Sequence, residues 1–121
     1  MTDKEMLEFA ARAEGYARMV YRDDVPYVSL DMNGDDFVAW NPRTSSGDNF
    51  DLAAKLGISI EHDASIQVDY SDEMGGEYAL GVHAWVVKDD LIEAKEIYGD
   101  DRCDTARLAV LRVAAEIGKR I

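Results

Sequence analysis

Apolar positions recur with a helical period at the start of the chain. Thr2 followed by Glu5 forms a capping-box pattern, and Met6, Phe9, Ala10, Ala13, Tyr16 and Ala17 then share helical spacing, with Asp3, Glu8, Arg12 and Arg18 on other faces. The spacing predicts a helix over residues 2–19. Beyond it, "VPYVSLDM" and "DFVAW" are short β-type runs flanking Asn33-Gly34, a dipeptide that tolerates the positive φ angles of a tight turn, so a hairpin is expected there. After Pro42, Asp48 is a cap candidate ahead of Phe50, Leu52, Ala53 and Leu56, and Gly57 is placed to close the helix in a left-handed conformation. This second helix covers about residues 48–56.

The period then changes to two. "ISIEH" reads as a strand leaving the helix, and Ile66, Val68 and Tyr70 alternate with Gln67 and Asp69 in a half-exposed one. "YALGVHAWVV" is apolar on both alternations, as in a central strand covered on both faces, and Trp85 belongs to it. "LIEAKEIY" fits two readings, since Leu91, Lys95 and Tyr98 would share a helix face while the preceding "KDD" looks like a hairpin turn; a strand is favoured. Finally Asp101 or Asp104 can cap a helix whose apolar face is Ala106, Ala109, Val110, Val113, Ala114 and Ile117, with Arg107, Arg112, Glu116 and Lys119 towards water. The order α-β-β-α-β-β-β-α predicts an α+β domain: a mostly antiparallel sheet of about five strands with three helices packed on it. One globular domain over residues 1–121 is expected, large enough to bury about two thirds of its surface without a metal or disulfide.

Charge changes the picture more than composition does. Residues 1–22 balance four acids against four bases, residues 23–101 hold 19 acids against four bases, and residues 102–121 hold two acids against five bases. The net charge of -12 therefore originates in the middle of the chain. Such a field repels phosphates and speeds encounter with basic partners, which argues against direct nucleic-acid binding. The single cysteine, Cys103, cannot form an internal disulfide, the N-terminus lacks the regions of a signal peptide, and no apolar run approaches the roughly 18 residues of a membrane span. A cytoplasmic protein without membrane insertion is expected.

Two stretches carry a resemblance. "AWNPRTSSGDNFDLAAKLGISI" and "GDDRCDTARLAVLRVAAEIGK", in the order helix, hairpin, short helix, variable strands and C-terminal helix, make the chain similar to the NinX-type group of small phage-encoded proteins of unknown function. In that group an aromatic-Asn/Ser-Pro turn leads into an acidic short helix ending in Lys-Leu-Gly-Ile, and an alanine-rich helix ends the chain. The resemblance covers residues 37–60 and 99–119 best, and residues 61–98 depart from it. It implies a phage or prophage origin, action in the host cell cytoplasm, and an accessory role that includes antagonism of a host defence.

Candidate chemistry is thin. "DMNGDDFVAWNP" begins like a calcium loop with Asp31, Asn33 and Asp35, but Asp36 stands where glycine is needed and Pro42 where glutamate is needed. His62 and His83 lie 21 residues apart without companion ligands, so no zinc site is expected. Cys103 sits among Asp100, Asp101 and Asp104, which would raise its thiol pKa and oppose nucleophilic use. The pairs Asp23-Asp24, Asp35-Asp36, Asp89-Asp90 and Asp100-Asp101 all fall in expected turns, where aspartate is favoured for backbone hydrogen bonding. No acid, base and nucleophile set emerges, so neither enzymatic activity, a metal nor a cofactor is expected.

Two functional classes fit. In the first, Asp31, Asp35, Asp36, Asp69, Asp72, Glu73, Glu77, Asp89 and Asp90 form an acidic face that docks on a basic host protein or nucleoprotein complex, imitating nucleic acid if the spacing is phosphate-like. In the second, Trp40, Asn41 and Thr44, with His83 or Trp85, bind a nucleotide-like ligand. The helix-two N-terminus behind "WNPRTSSGDNF" would then hold the phosphate, although Thr44, Ser45, Ser46 and Asp48 also suit capping. The first class is preferred, and a homodimer is left open.

Overall fold

In the computed structural model, which describes residues 1–33, 36–68 and 77–121, the chain is α+β with three helices and six strands in two separate sheets. Helix α1 (Asp3–Glu14) starts with the expected capping box between Thr2 and Glu5. It ends five residues earlier than the apolar pattern suggests, because Gly15 takes a φ of 100° and donates its N–H back to Ala11 and Arg12. The chain then turns into strand β1 (Arg18–Arg22), where a period of two replaces the helical one. Met19 lies beside buried Val28, and Tyr21 beside buried Pro26, on one face, while Arg18, Val20 and Arg22 take the other.

Strand β1 pairs with β2 (Val25–Ser29) through a two-residue turn at Asp23-Asp24, both with positive φ (52° and 63°), as a type I′ hairpin requires. This is the tight hairpin of the first sheet, and the sequence pattern places it elsewhere. The expected antiparallel pairing across Asn33 does exist, between β2 and β3 (Val38–Ala39), but it is limited to two residue pairs. A two-residue turn at positions 33 and 34 would set Val28 opposite Ala39; the observed partner is Val38.

Helix α2 (Ser46–Leu56) is capped by Ser45, not Asp48, and ends as expected on Gly57 in the left-handed region. The second sheet is a meander of β4 (Ser59–Gln67), β5 (Tyr78–Val87) and β6 (Leu91–Ile97), so the "LIEAKEIY" segment is a strand. A register shift between Glu61 and Ala64, with Asp63 at a φ of 55°, kinks β4. Val82, Ala84 and Val86 project from one face of β5 into the core, whereas His83 and Trp85 on the other face are only half-buried. Central position does not give β5 full coverage on both faces.

Helix α3 (Arg102–Lys119) is capped by Asp101, whose carboxylate accepts from the Cys103 and Asp104 amides. Its buried stripe lies across the second sheet and against α1. Small residues, Ala10 and Ala11 on α1, Ala114, Ala115 and Gly118 on α3, let the backbones approach closely; a Cβ at position 118 would run into the Phe9 carbonyl. The core joins Met6, Leu7, Val28, Trp40, Leu52, Val82, Val110 and Leu111 from both sheets' neighbourhoods and all three helices. No helix among the described residues is long and apolar enough to cross a membrane.

Candidate functional site

The stretch "WNPRTSSGDNF" turns out to be an anchor. Trp40 is 4% exposed and packs edge-to-face on Tyr16 at 5.5 Å, so it offers no stacking platform. Asn41 accepts from the Arg43 amide through its side chain, and its own N–H donates to Asp48 Oδ2 at 2.9 Å. The Asp48 amide in turn donates to Ser45 Oγ, which leaves the start of α2 engaged by its own residues. Buried Asn49 donates to the carbonyls of Pro42 and Arg107 at 2.9 and 3.0 Å, stitching the turn to α3. Arg43 reaches Asp104 at 2.5 Å and Asp3 at 3.6 Å, and Arg107 returns bonds to the Arg43 carbonyl and to Ser46. The Arg43 guanidinium holds the Asp104 carboxyl below the usual aspartate range, with Arg107 assisting. Thr44 is exposed beside this network.

The proposed ligand residues therefore do not converge. His83 and Trp85 stack at 4.7 Å on the outer face of the second sheet, opposite the face that carries Val82 and Ala84 into the core with Trp40. His83 Nε2 lies 2.7 Å from Glu93 and Nδ1 lies 3.9 Å from Glu61, on strands to either side. Those two contacts occupy opposite edges of the ring, so they do not point at one metal position. Among the described residues no group of three or more His, Cys, Asp or Glu side chains is placed to hold a metal ion.

The acidic residues divide into groups. Asp35, Asp69, Asp72 and Glu73 lie outside the described residues. Glu77 and Asp89-Asp90 flank opposite ends of β5, a strand whose ten residues span about 33 Å, so they do not share a contact patch. Asp90 also meets Arg120 at 3.6 Å. Asp31 and Asp36, by contrast, both line a groove of about 400 Å³ formed by Tyr16, Val28, Leu30 and Val38, with Ser29 beside Asp31. Asp31 accepts from the Asn33 amide and its own amide donates to Ser29 Oγ, which fixes this loop start. Leu30, Met32 and Val38 are 70, 64 and 60% exposed, a run of apolar side chains that a hairpin tip does not need for folding.

Tyr16 is the groove residue that the sequence misplaces. Its apolar spacing reads as helix, whereas the helix has ended at Gly15 and the ring serves as a wall between Trp40 and the groove.

A second cavity, about 340 Å³, lies between the β4 kink and the start of α3, and brings His62 and Cys103 to one place although they are 41 positions apart. Its polar groups are engaged with one another: Tyr98 accepts from the Asp63 amide, Arg102 pairs with Asp63 at 3.0 Å and stacks on Tyr98, and Arg107 holds Ser46. The arrangement supports the strained Asp63 backbone and presents no acid, base and nucleophile set.

Buried Glu14 is the remaining unusual group. Burial pushes its pKa up, with Asp51 and Asp48 acting in the same direction and Lys55 and Trp40 against it. Its Oε2 has no hydrogen-bond partner. No family model, curated protein or solved structure matches the chain. The functional reading accordingly rests on the residues themselves.

Proposed function

We propose that this is a small acidic phage or prophage accessory protein that acts by binding, capturing a basic host protein through the groove beside β2 and β3. The observation that carries the reading is that two acidic residues, Asp31 and Asp36, line one groove with exposed apolar walls at Leu30 and Val38. That composition suits a partner segment with one apolar side chain seated in the groove and a lysine or arginine on each side. Apolar anchors with charged surrounds are what protein-binding patches use, the anchor supplying affinity and the charges orientation and encounter rate. The remaining field of the -12 chain adds long-range attraction for a basic partner. Mimicry of a nucleic-acid strand receives less support, because it needs a continuous row of acids and Glu77 and Asp89-Asp90 stand a strand's length apart.

The test is capture from bacterial lysate at low and high salt by the parent protein and by the Asp31→Lys/Asp36→Lys variant, with mass spectrometry of what is retained. One basic protein held by the parent at low salt, and lost both at high salt and on charge reversal, is the expected result. Retention that survives the reversal would remove the groove from the binding surface.

A further inference from the structure

The two edges of the second sheet are not alike. Strand β4 is broken by its register shift and carries Glu61, His62 and Asp63 there, devices that discourage strand addition. Strand β6 keeps one register against β5 from Leu91 to Ile97, with no bulge, proline or glycine. An open groove of about 510 Å³ runs beside it, lined by residues 91–96 and, from α3, by Arg112, Glu116 and Arg120. In a chain of net charge -12 this edge is close to balanced: on the outer face Glu93, which also contacts His83, stands two residues from Lys95, and on the α3 side Arg112 pairs with Glu96 and Arg120 with Glu116 and Asp90.

The hydrogen-bond parity of β6 is set by its neighbour. The Tyr98 amide donates to the Leu80 carbonyl, and these two residues are opposite each other in the β5–β6 register. Because hydrogen-bonded and non-hydrogen-bonded pairs alternate along an antiparallel ladder, the even-numbered residues of β6 turn their backbone groups towards β5. Leu91, Glu93, Lys95 and Ile97 are left with N–H and C=O groups directed at the free edge.

We propose that two copies of this chain associate by antiparallel pairing of β6 with β6 about a two-fold axis at Ala94, joining the two sheets into one of six strands. Parity admits only registers that pair odd-numbered residues with odd-numbered ones. Centring on Glu93 would set that glutamate against its own copy, and centring on Lys95 would do the same for the lysine. Centring on Ala94 sets Glu93 against Lys95 twice and Leu91 against Ile97 twice, and places the smallest side chain where the unbonded pair brings backbones closest. Leu91 and Ile97, 53 and 47% exposed in the single chain, are covered by this pairing. The charge balance of the groove lets two otherwise repelling acidic molecules approach there.

The measurement is sedimentation equilibrium over a range of concentrations, with circular dichroism confirming that each variant is folded. The parent is expected to dimerise. Glu93→Lys and Lys95→Glu each replace two attractive pairs by two like-charge pairs and should each weaken self-association by about tenfold. Mixed in equal amounts, the two variants regain complementarity and should form a heterodimer of parental strength, and the double swap Glu93→Lys/Lys95→Glu should dimerise alone. A parent that remains monomeric at every concentration, single variants that associate as the parent does, or a mixture that fails to associate would each overturn the proposal.

Discussion

Both sheets are three-stranded antiparallel meanders, yet different forces hold them. The second has long strands, and its inner face places Val82, Ala84, Val86 and Ile92 in the core against α3. The first has strands of five, five and two residues, gives Val28 to the core, and relies on its surface. There Arg18 and Arg22 stack over Phe37 at 4.8 and 5.3 Å, Arg22 also over Tyr27 at 5.3 Å, and Lys4 over Tyr21 at 5.0 Å. Exposed cation–π contacts contribute about 0.5–1 kcal/mol each, whereas a fully buried aliphatic side chain contributes about 1.5–3 kcal/mol. The difference separates a scaffold from a lightly anchored addition: the second sheet with its helices is the scaffold, and the first sheet carries the groove proposed for binding.

The largest expected effect breaks the scaffold. Leu111 is fully buried in α3, and Leu111→Ala should cost about 3–4 kcal/mol in a denaturant titration, unfolding both sheets together. In the parent protein, amide exchange should show β5 protected close to the global limit and β1 and β3 exchanging by local opening at lower free energy. Equal protection of the two sheets would contradict the comparison.

Next in size is the seam between the turn after β3 and α3. Asn49→Ala removes one buried and one partly buried hydrogen bond and leaves the Pro42 and Arg107 carbonyls without that donor, an expected loss of about 2 kcal/mol by thermal or chemical denaturation. Glu14 acts in the other direction. Burial raises its folded-state pKa above its unfolded value, so the folded chain binds the proton more tightly and the ionised carboxylate costs stability at neutral pH. Glu14→Gln should raise stability by about 1 kcal/mol at pH 7, and its advantage should shrink as pH falls through the folded-state pKa to the ordinary glutamate range. An advantage independent of pH would show that ionisation is not the cause.

The smallest effect sharpens the comparison at the first sheet. Asp24 has a φ of 63°, which glycine adopts without the Cβ penalty, so Asp24→Gly should stabilise the β1–β2 hairpin by about 0.5 kcal/mol and slow its local exchange more than that of β5. The exposed Lys4 to Asp24 pair at 3.7 Å is lost in the same variant and offsets little.

Where local chemistry is decisive, the reading from residues alone agrees with the structure. Thr2 and Glu5 begin α1, Gly57 ends α2, Asp101 begins α3, and the "LIEAKEIY" strand follows its hairpin turn. It departs where the same residues satisfy two periods. Phe9, Ala13, Tyr16 and Ala17 continue a helical stripe past Gly15, and the alternation of Arg18 to Arg22 is too short to contest it. Asp23-Asp24 is a weaker turn signal than Asn33-Gly34, and nearest-neighbour pairing of β1 with β2 places the tight turn there. Of the candidate site, Asp31 and Asp36 were legible as exposed turn acids, whereas their apolar neighbour Tyr16 was not, because it sits in the connection between α1 and β1 that its helical spacing conceals.

By itself the sequence determined the α+β class, the N-caps of α1 and α3, the Gly57 stop of α2, the central apolar strand and an acidic composition, since propensity, capping and solvation act within a few residues of one another. Tertiary structure alone decided that Trp40 is core and not platform, that the strands divide into two sheets, and which acids line one groove. Those outcomes depend on contacts between residues tens of positions apart, such as Asn49 on the Arg107 carbonyl and Tyr16 on Trp40, whose free energies come from packing and desolvation that no local pattern encodes.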